Sequence, residues 1–278
     1  MLMDYVKKMP ILTTRADDLD IAYRECGDGE PLLLIMGFGS TMDLWSPVLV
    51  KRLAEENRVI MFDNRGIGET STGKETFSIE RFADDAAVLL SALGIEEADV
   101  LGWSMGAQIA QETALRHPEK VRKLILLAGS PGGKEGVPPS AEVLRDLADT
   151  SGTPAERGVR LFNLMFPQHW LEENPDPSSW FPFPEEHADA ASTEKQAEAM
   201  GAWKGSAARL MNIQLPALML QGTEDIIVPP ANGPLLAGLI PGSWLVSVKN
   251  AGHGMMYQYP GYIADVMNFF LSLETRAG

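Results

Sequence analysis

The 278-residue chain has one cysteine, Cys26, and four histidines. A single cysteine excludes an intrachain disulfide and is compatible with a reducing compartment; Cys26 reads as a small filler near a strand end. His117, His169, His187 and His253 stand singly, with no H-x-x-x-H or C-x-x-C spacing, so no metal site and no cofactor is expected. Positive charge is also scarce. The 23 Lys and Arg residues face 38 Asp and Glu, a formal net charge of −15, and they form no basic cluster, which argues against a nucleic-acid partner. No apolar run is long enough to span a bilayer, and Met1 to Pro10 lacks the continuous apolar region of a secretory leader; a cytoplasmic location is the expectation. Internal repeats and low-complexity tracts are absent too. What remains, 45% hydrophobic and 22% charged residues, is the composition of a globular protein with one sizeable core and room for an insertion.

Apolar runs alternate with helical periodicity along most of the chain. Ile11–Thr14 and Leu19–Glu25 read as an opening antiparallel pair. Pro31–Met36, Arg58–Phe62, Ala98–Leu101 and Lys123–Leu127 are continuous apolar runs, as expected of strands buried on both faces of a parallel sheet. Between them, Trp45–Asn57, Ser78–Leu93 and Ala107–His117 read as helices, and the rhythm resumes with Leu215–Leu220, Pro234–Leu239, Trp244–Val248 and Tyr262–Leu273. The expected fold is α/β, a mostly parallel central sheet with helices on both faces.

From Lys134 to about Asn212 the rhythm breaks. Helix-like pieces at Ala141–Asp149, Ala155–Met165 and Thr193–Lys204 flank a proline-rich segment through Pro175, Pro177, Pro182 and Pro184. Such a stretch is too long for a structureless loop, so residues 134–212 are expected to form a helical lid on a core of residues 1–133 and 213–278.

Chemistry in such sheets collects where strands end at their carboxyl edge. One strand there runs into Gly102-Trp103-Ser104-Met105-Gly106 and then a helix, a strand–turn–helix context in which a G-x-S-x-G pattern carries mechanism. The competing reading of Ser104 is a helix N-cap. Other strand ends offer Gly37-Phe38-Gly39, Gly222-Thr223-Glu224-Asp225 and Asn250-Ala251-Gly252-His253-Gly254. A serine hydroxyl needs a base, and the base a carboxylate that fixes its tautomer. His253 and Asp225 supply these roles in the chain order Ser, Asp, His. Glu224 and, more remotely, Glu135 compete for the acid. His253, flanked by glycines, reads as a side chain exposed at a loop tip. The backbone N–H groups of Phe38 and Met105 are the candidates for holding an oxyanion.

The remaining signals have blander readings. His117 before Pro118 ends a helix, and His169 and His187 are surface groups or substrate contacts. Asp63 and Arg65 form a structural turn with its own ion pair. Gly66-x-Gly68 and Gly37-x-Gly39 lack the third glycine of a dinucleotide fingerprint. Trp103 packs beneath the serine turn. Met105, Met255 and Met256 serve either as an adaptable apolar lining or as core filling.

Taken together, Met36-Gly37-Phe38-Gly39, Asp63-Asn64-Arg65-Gly66-Ile67-Gly68, Gly102–Gly106, Gly222-x-x-Asp225 with Pro229, and Gly252-His253 resemble the motifs of the α/β-hydrolase superfamily over nearly the whole chain. Met36 stands where that family usually has histidine, and Ala107 where a second glycine is common. The resemblance implies a serine hydrolase acting on an ester or related acyl bond of a small-molecule substrate, with lactone hydrolysis, carbon–carbon bond hydrolysis and cofactor-free perhydrolysis of the haloperoxidase type on the same triad. It also leaves open a ligand receptor without turnover. Phe162, Phe166, Trp170, Phe181, Trp203 and Met255 are the candidate contacts for an apolar, medium-sized substrate. Oligomeric state is not legible.

Overall fold

The computed structural model describes residues 2–184 and 188–274, so His187 lies outside the described residues. The chain begins with β1 (Leu12–Ala16) and β2 (Leu19–Cys26), the expected antiparallel pair. It continues through β3 (Glu30–Ile35), α1 (Pro47–Leu53), β4 (Asn57–Phe62), α2 (Ile79–Ala92), β5 (Ala98–Trp103), α3 (Met105–Arg116) and β6 (Val121–Leu127). The inserted segment carries α4 (Ala141–Ala148), α5 (Pro154–Met165), α6 (Gln168–Glu173) and α7 (Ala190–Ala202). The chain then closes with β7 (Ala217–Gly222), α8 (Asn232–Leu239), β8 (Trp244–Val248), α9 (Met255–Gln258) and α10 (Pro260–Ser272).

All eight strands form one sheet in the order β1-β2-β4-β3-β5-β6-β7-β8. Pairing is antiparallel for β1 with β2 and for β2 with β4, and parallel from β4 to β8. The continuous apolar runs follow from burial on both faces. Leu32 and Leu34 of β3 pack with Leu49 and Leu53 of α1 and with Ile263 and Met267 of α10. Leu33 and Ile35 point the other way, into a cluster with Phe82 and Leu89 of α2 and Ile109 of α3, the two-residue period of a strand. Each fully buried leucine of this kind contributes about 1.5–3 kcal/mol. Among the described residues no helix is long and apolar enough to cross a membrane.

Helix ends show where local chemistry sharpened the pattern. The helix expected over Trp45–Asn57 is shorter because Ser46 caps it by accepting from Leu49 N–H, Pro47 occupies its first turn, and Asn57 already belongs to β4. In the insertion, Thr153 and Glu156 form a capping box on α5, and Asp189 caps α7, which begins at Ala190, three residues before its expected start. α6 was not expected. The insertion packs into both clusters of the sheet: Met165, Phe166, Trp170 and Phe181 join the α1/α10 side, and Ala199, Trp203 and Leu210 the other.

The Asp63-Asn64-Arg65 turn is structural, and Arg65 also pairs beyond it. Asp63 accepts from Met42 N–H at 2.7 Å, and Asn64 Nδ2 donates to Met36 O at 3.0 Å. Arg65 reaches out of the turn, bidentate to Asp85 at 2.7 and 2.9 Å and to Asp18 at 2.9 and 3.1 Å. The hydrogen bonds from Arg65 hold the Asp18 carboxyl far below the usual carboxylate range.

Candidate active site

β5 ends at Trp103, and α3 starts two residues later at Met105. So abrupt a reversal forces Ser104 to φ 58° and ψ −118°, a strained conformation for a residue with a Cβ. Close packing explains the two flanking glycines: a Cβ on Gly102 would fall on the Gly106 carbonyl, and one on Gly106 on the Ile35 carbonyl. Ser104 occupies the N-cap position, yet its side chain makes no capping hydrogen bond. Its Oγ lies 3.0 Å from His253 Nε2 instead. The hydroxyl is thus not used to cap the helix.

His253 Nδ1 lies 2.9 Å from Asp225 Oδ2. An ionised carboxylate only accepts, so Nδ1 carries the proton and Nε2 is free to accept from the serine hydroxyl. The second Asp225 oxygen accepts from Ile227 N–H at 2.9 Å and Val228 N–H at 2.8 Å, which fixes the carboxylate plane. The loops after β7 and β8 are stitched together, Thr223 N–H to Val248 O at 3.0 Å and Glu224 N–H to Ala251 O at 2.9 Å.

The structure corrects the reason for the glycines around His253. The histidine is 3% exposed, not displayed at a loop tip. Its neighbours are glycines because the α5–α6 junction packs onto the loop: a Cβ on Gly252 would meet Met165 O, and one on Gly254 the Phe166 ring. Gly254 N–H donates to Met165 O at 3.0 Å. Trp103 lies beside His253, with ring centroids 5.2 Å apart, and donates its indole N–H to His253 O at 3.2 Å.

Glu224 and Glu135, the competing acids, lie elsewhere: Glu224 is 3.8 Å from His169 Nδ1 at the surface, and Glu135 is beside Lys134. His117 caps the end of α3 and contacts Asp84 at 2.7 Å. Phe38 belongs to the loop that abuts the serine, where a Cβ on Gly37 would stand 3.3 Å from Ser104 Cβ. Met105 opens α3, whose N-terminus carries the positive end of the helix dipole.

A cavity of about 470 Å³ opens at Ser104. Its apolar wall comes from Met105, Val137, Leu144, Leu147, Met200, Ile227 and Val228, and its polar groups include Gln108, Ser130 and Lys134. Most of this wall was missed from the sequence. The aromatic residues expected there are not on it. Phe162, Phe166, Trp170 and Phe181 stack with Trp180 and each other, with centroid separations of 4.7 to 6.0 Å, and fasten the insertion to α9 through Tyr257. Trp203 borders a neighbouring hollow and donates its indole N–H to the buried Glu112 at 2.8 Å. Met255 is fully buried in α9, as core filling. The signal that could have located the true wall is α4, where Leu144 and Leu147 recur on one face of a short amphipathic helix.

Residues 30–260 match the family model described as alpha/beta hydrolase fold. The chain belongs to this family. It is 31% identical over 270 residues to an Azorhizobium caulinodans protein named "Putative carbamate hydrolase RutD", covering 91% of this chain and 94% of that one. It is 27% identical to a pimeloyl-[acyl-carrier protein] methyl ester esterase of Aeromonas hydrophila, covering 91% of this chain and all of the relative. Among solved structures, the esterase RhEst1 of a Rhodococcus species superposes with a TM-score of 0.81 at 25% identity, over 96% of this chain and 100% of that one.

Proposed function

We propose that this protein is a serine hydrolase that cleaves a carboxylic ester or related acyl bond of a small to medium apolar substrate through an acyl-enzyme, and that it works in the cytoplasm. The observation that carries the reading is the continuous relay from Ser104 Oγ through His253 to Asp225, at 3.0 and 2.9 Å, with the far carboxylate oxygen pinned by two backbone N–H groups. The relatives' names, a carbamate hydrolase and two esterases, support acyl-bond hydrolysis as the reaction class.

In this reading Ser104 Oγ attacks the acyl carbon while His253 Nε2 takes its proton. Met105 and Phe38 N–H groups receive the oxyanion as it forms. His253 returns the proton to the departing oxygen, which leaves as an alcohol, and Ser104 remains acylated. Water then repeats the sequence, with His253 again as base, and releases the acid. Residues 134–212 act as the lid, because Val137, Leu144, Leu147 and Met200 supply much of the cavity wall. A fluorophosphonate label tests the assignment: it should attach to the native protein and not to Ser104→Ala, and persistent labelling of the variant would overturn it.

A further inference from the structure

We propose that Gln108 is a specificity residue that selects acyl groups bearing an O–H or N–H donor on the α or β carbon. The inference rests on Ser104 being the residue that becomes acylated. Gln108 follows Ser104 by one turn of α3, and both border the cavity. Among the described residues, the Oε1 of Gln108 is buried with no hydrogen-bond partner.

Its neighbour on the same helix shows what a structural glutamine looks like. Gln111 donates from Nε2 to Ala107 O at 2.9 Å and Ser130 O at 3.1 Å, and its Oε1 accepts from Ser206 Oγ at 2.7 Å. Gln108 stands against the cavity with its carbonyl unsatisfied. Folded proteins seldom leave a buried amide oxygen without a donor, because its lost hydration is not replaced. The terminal torsion of a glutamine is broad, so a small rotation turns this oxygen toward a ligand that brings the missing donor.

Geometry assigns the donor to the acyl side. The leaving group must sit against His253 Nε2 to be protonated, whereas the cavity is bordered by Ser104, Met105 and Gln108 and not by His253. The acyl chain therefore fills the cavity. Gln108 lies in the first turn of α3, four residues after the serine that stands at its N-cap, and the reach of its side chain is short. That reach brings the amide to a substituent near the scissile carbonyl and not to one at the end of a long chain, which the apolar wall of Leu144 and Leu147 would hold.

The test compares kcat/KM for methyl butyrate, methyl 3-hydroxybutyrate and N-acetylglycine methyl ester on the native protein, Gln108→Met and Gln108→Leu. The native protein should favour at least one donor-bearing ester over butyrate by about three- to tenfold, and both variants should erase that preference. Preference for the hydroxy ester alone identifies an O–H donor; preference for the acylamino ester alone, an N–H donor. Fluorophosphonate labelling of each variant verifies that it folds with a reactive serine. A preference that survives in labelled variants, or its absence from the labelled native protein, overturns the role of Gln108 and leaves the hydrolase reading standing. Labelling with turnover of none of the three esters also counts against it. A native protein that neither labels nor turns over would remove the hydrolase reading, and this inference with it.

Discussion

Gly39 N–H donates to the Oε1 of Gln196 at 2.9 Å, joining the loop after β3 to a helix of the insertion 157 positions later. Gln196 is fully buried on α7, and Gly39 is at φ 61°. Asn64 holds the start of the same loop through Met36 O. The backbone that carries Phe38 is thus clamped from two sides, by the sheet through Asn64 and by the insertion through Gln196.

Gln196→Ala should release the second clamp. Oxyanion donors act only in the transition state, so kcat should fall about tenfold with KM within about twofold. Gln196→Glu, which keeps the acceptor, should recover more of kcat than Gln196→Ala. Steady-state kinetics on any ester substrate checks both; a KM effect alone would mean that Gln196 shapes the cavity and not the loop.

Asp225→Asn places an amide where His253 Nδ1 requires an acceptor. An amide N–H facing Nδ1 drives the imidazole proton to Nε2, which can then no longer accept from Ser104. Turnover should drop roughly a thousandfold or more with the fold intact. Circular dichroism and single-turnover rates together check this outcome.

The strain at Ser104 has a stability counterpart. Ser104→Ala and Ser104→Gly both remove the hydroxyl, but only glycine tolerates φ 58° without cost. Ser104→Gly should be the more stable of the two by about 1 kcal/mol, read as a difference in denaturation midpoint. Equal stability would mean that the turn is not strained.

Much of this site was legible because the serine, the acid and the base fall at strand ends, and buried parallel strands announce themselves as apolar runs. Ser104, Asp225 and His253 are 28 to 149 positions apart in the chain, yet the order β5-β6-β7-β8 brings their loops to one edge. The cavity wall was not legible. Leu144 and Val137 come from an irregular insertion whose docking depends on tertiary contacts, and aromatic residues such as Phe166 and Trp170 carry no mark that separates packing from binding. The glycines beside His253 read as signs of a loop tip, whereas they answer to the packing of Met165 and Phe166.

Acid should weaken the Arg65 network. Asp18 has its carboxyl held low by Arg65 and by the Lys74 and Glu75 N–H groups, so the unfolded chain binds the proton more readily than the folded one. Its stabilisation is complete above about pH 5 and is lost progressively as pH falls below about 4. Asp18→Asn should lower stability at neutral pH and flatten the acid limb, as urea midpoints measured from pH 3 to pH 7 would show. An acid limb identical to that of the native protein would assign it to other carboxylates.

Glu112 ties the end of the insertion to α3. It is fully buried and accepts from Trp203 and from Arg209. Glu112→Ala should cost about 1–2 kcal/mol by orphaning the buried indole N–H, while the half-exposed Arg209 guanidinium keeps solvent and its bond to Gly205 O. Thermal unfolding measures it, and a change below about 0.5 kcal/mol would show that the insertion is held by its other contacts.

Ile227, Val228 and Met105 each contribute twice. The backbone N–H groups of the first two hold Asp225, that of the third is the one proposed to receive an oxyanion, and all three residues line the cavity. Main-chain donors are the same whichever residue bears them. The wall can therefore change from one apolar shape to another while the donors that hold Asp225 stay in place, proline alone excepted.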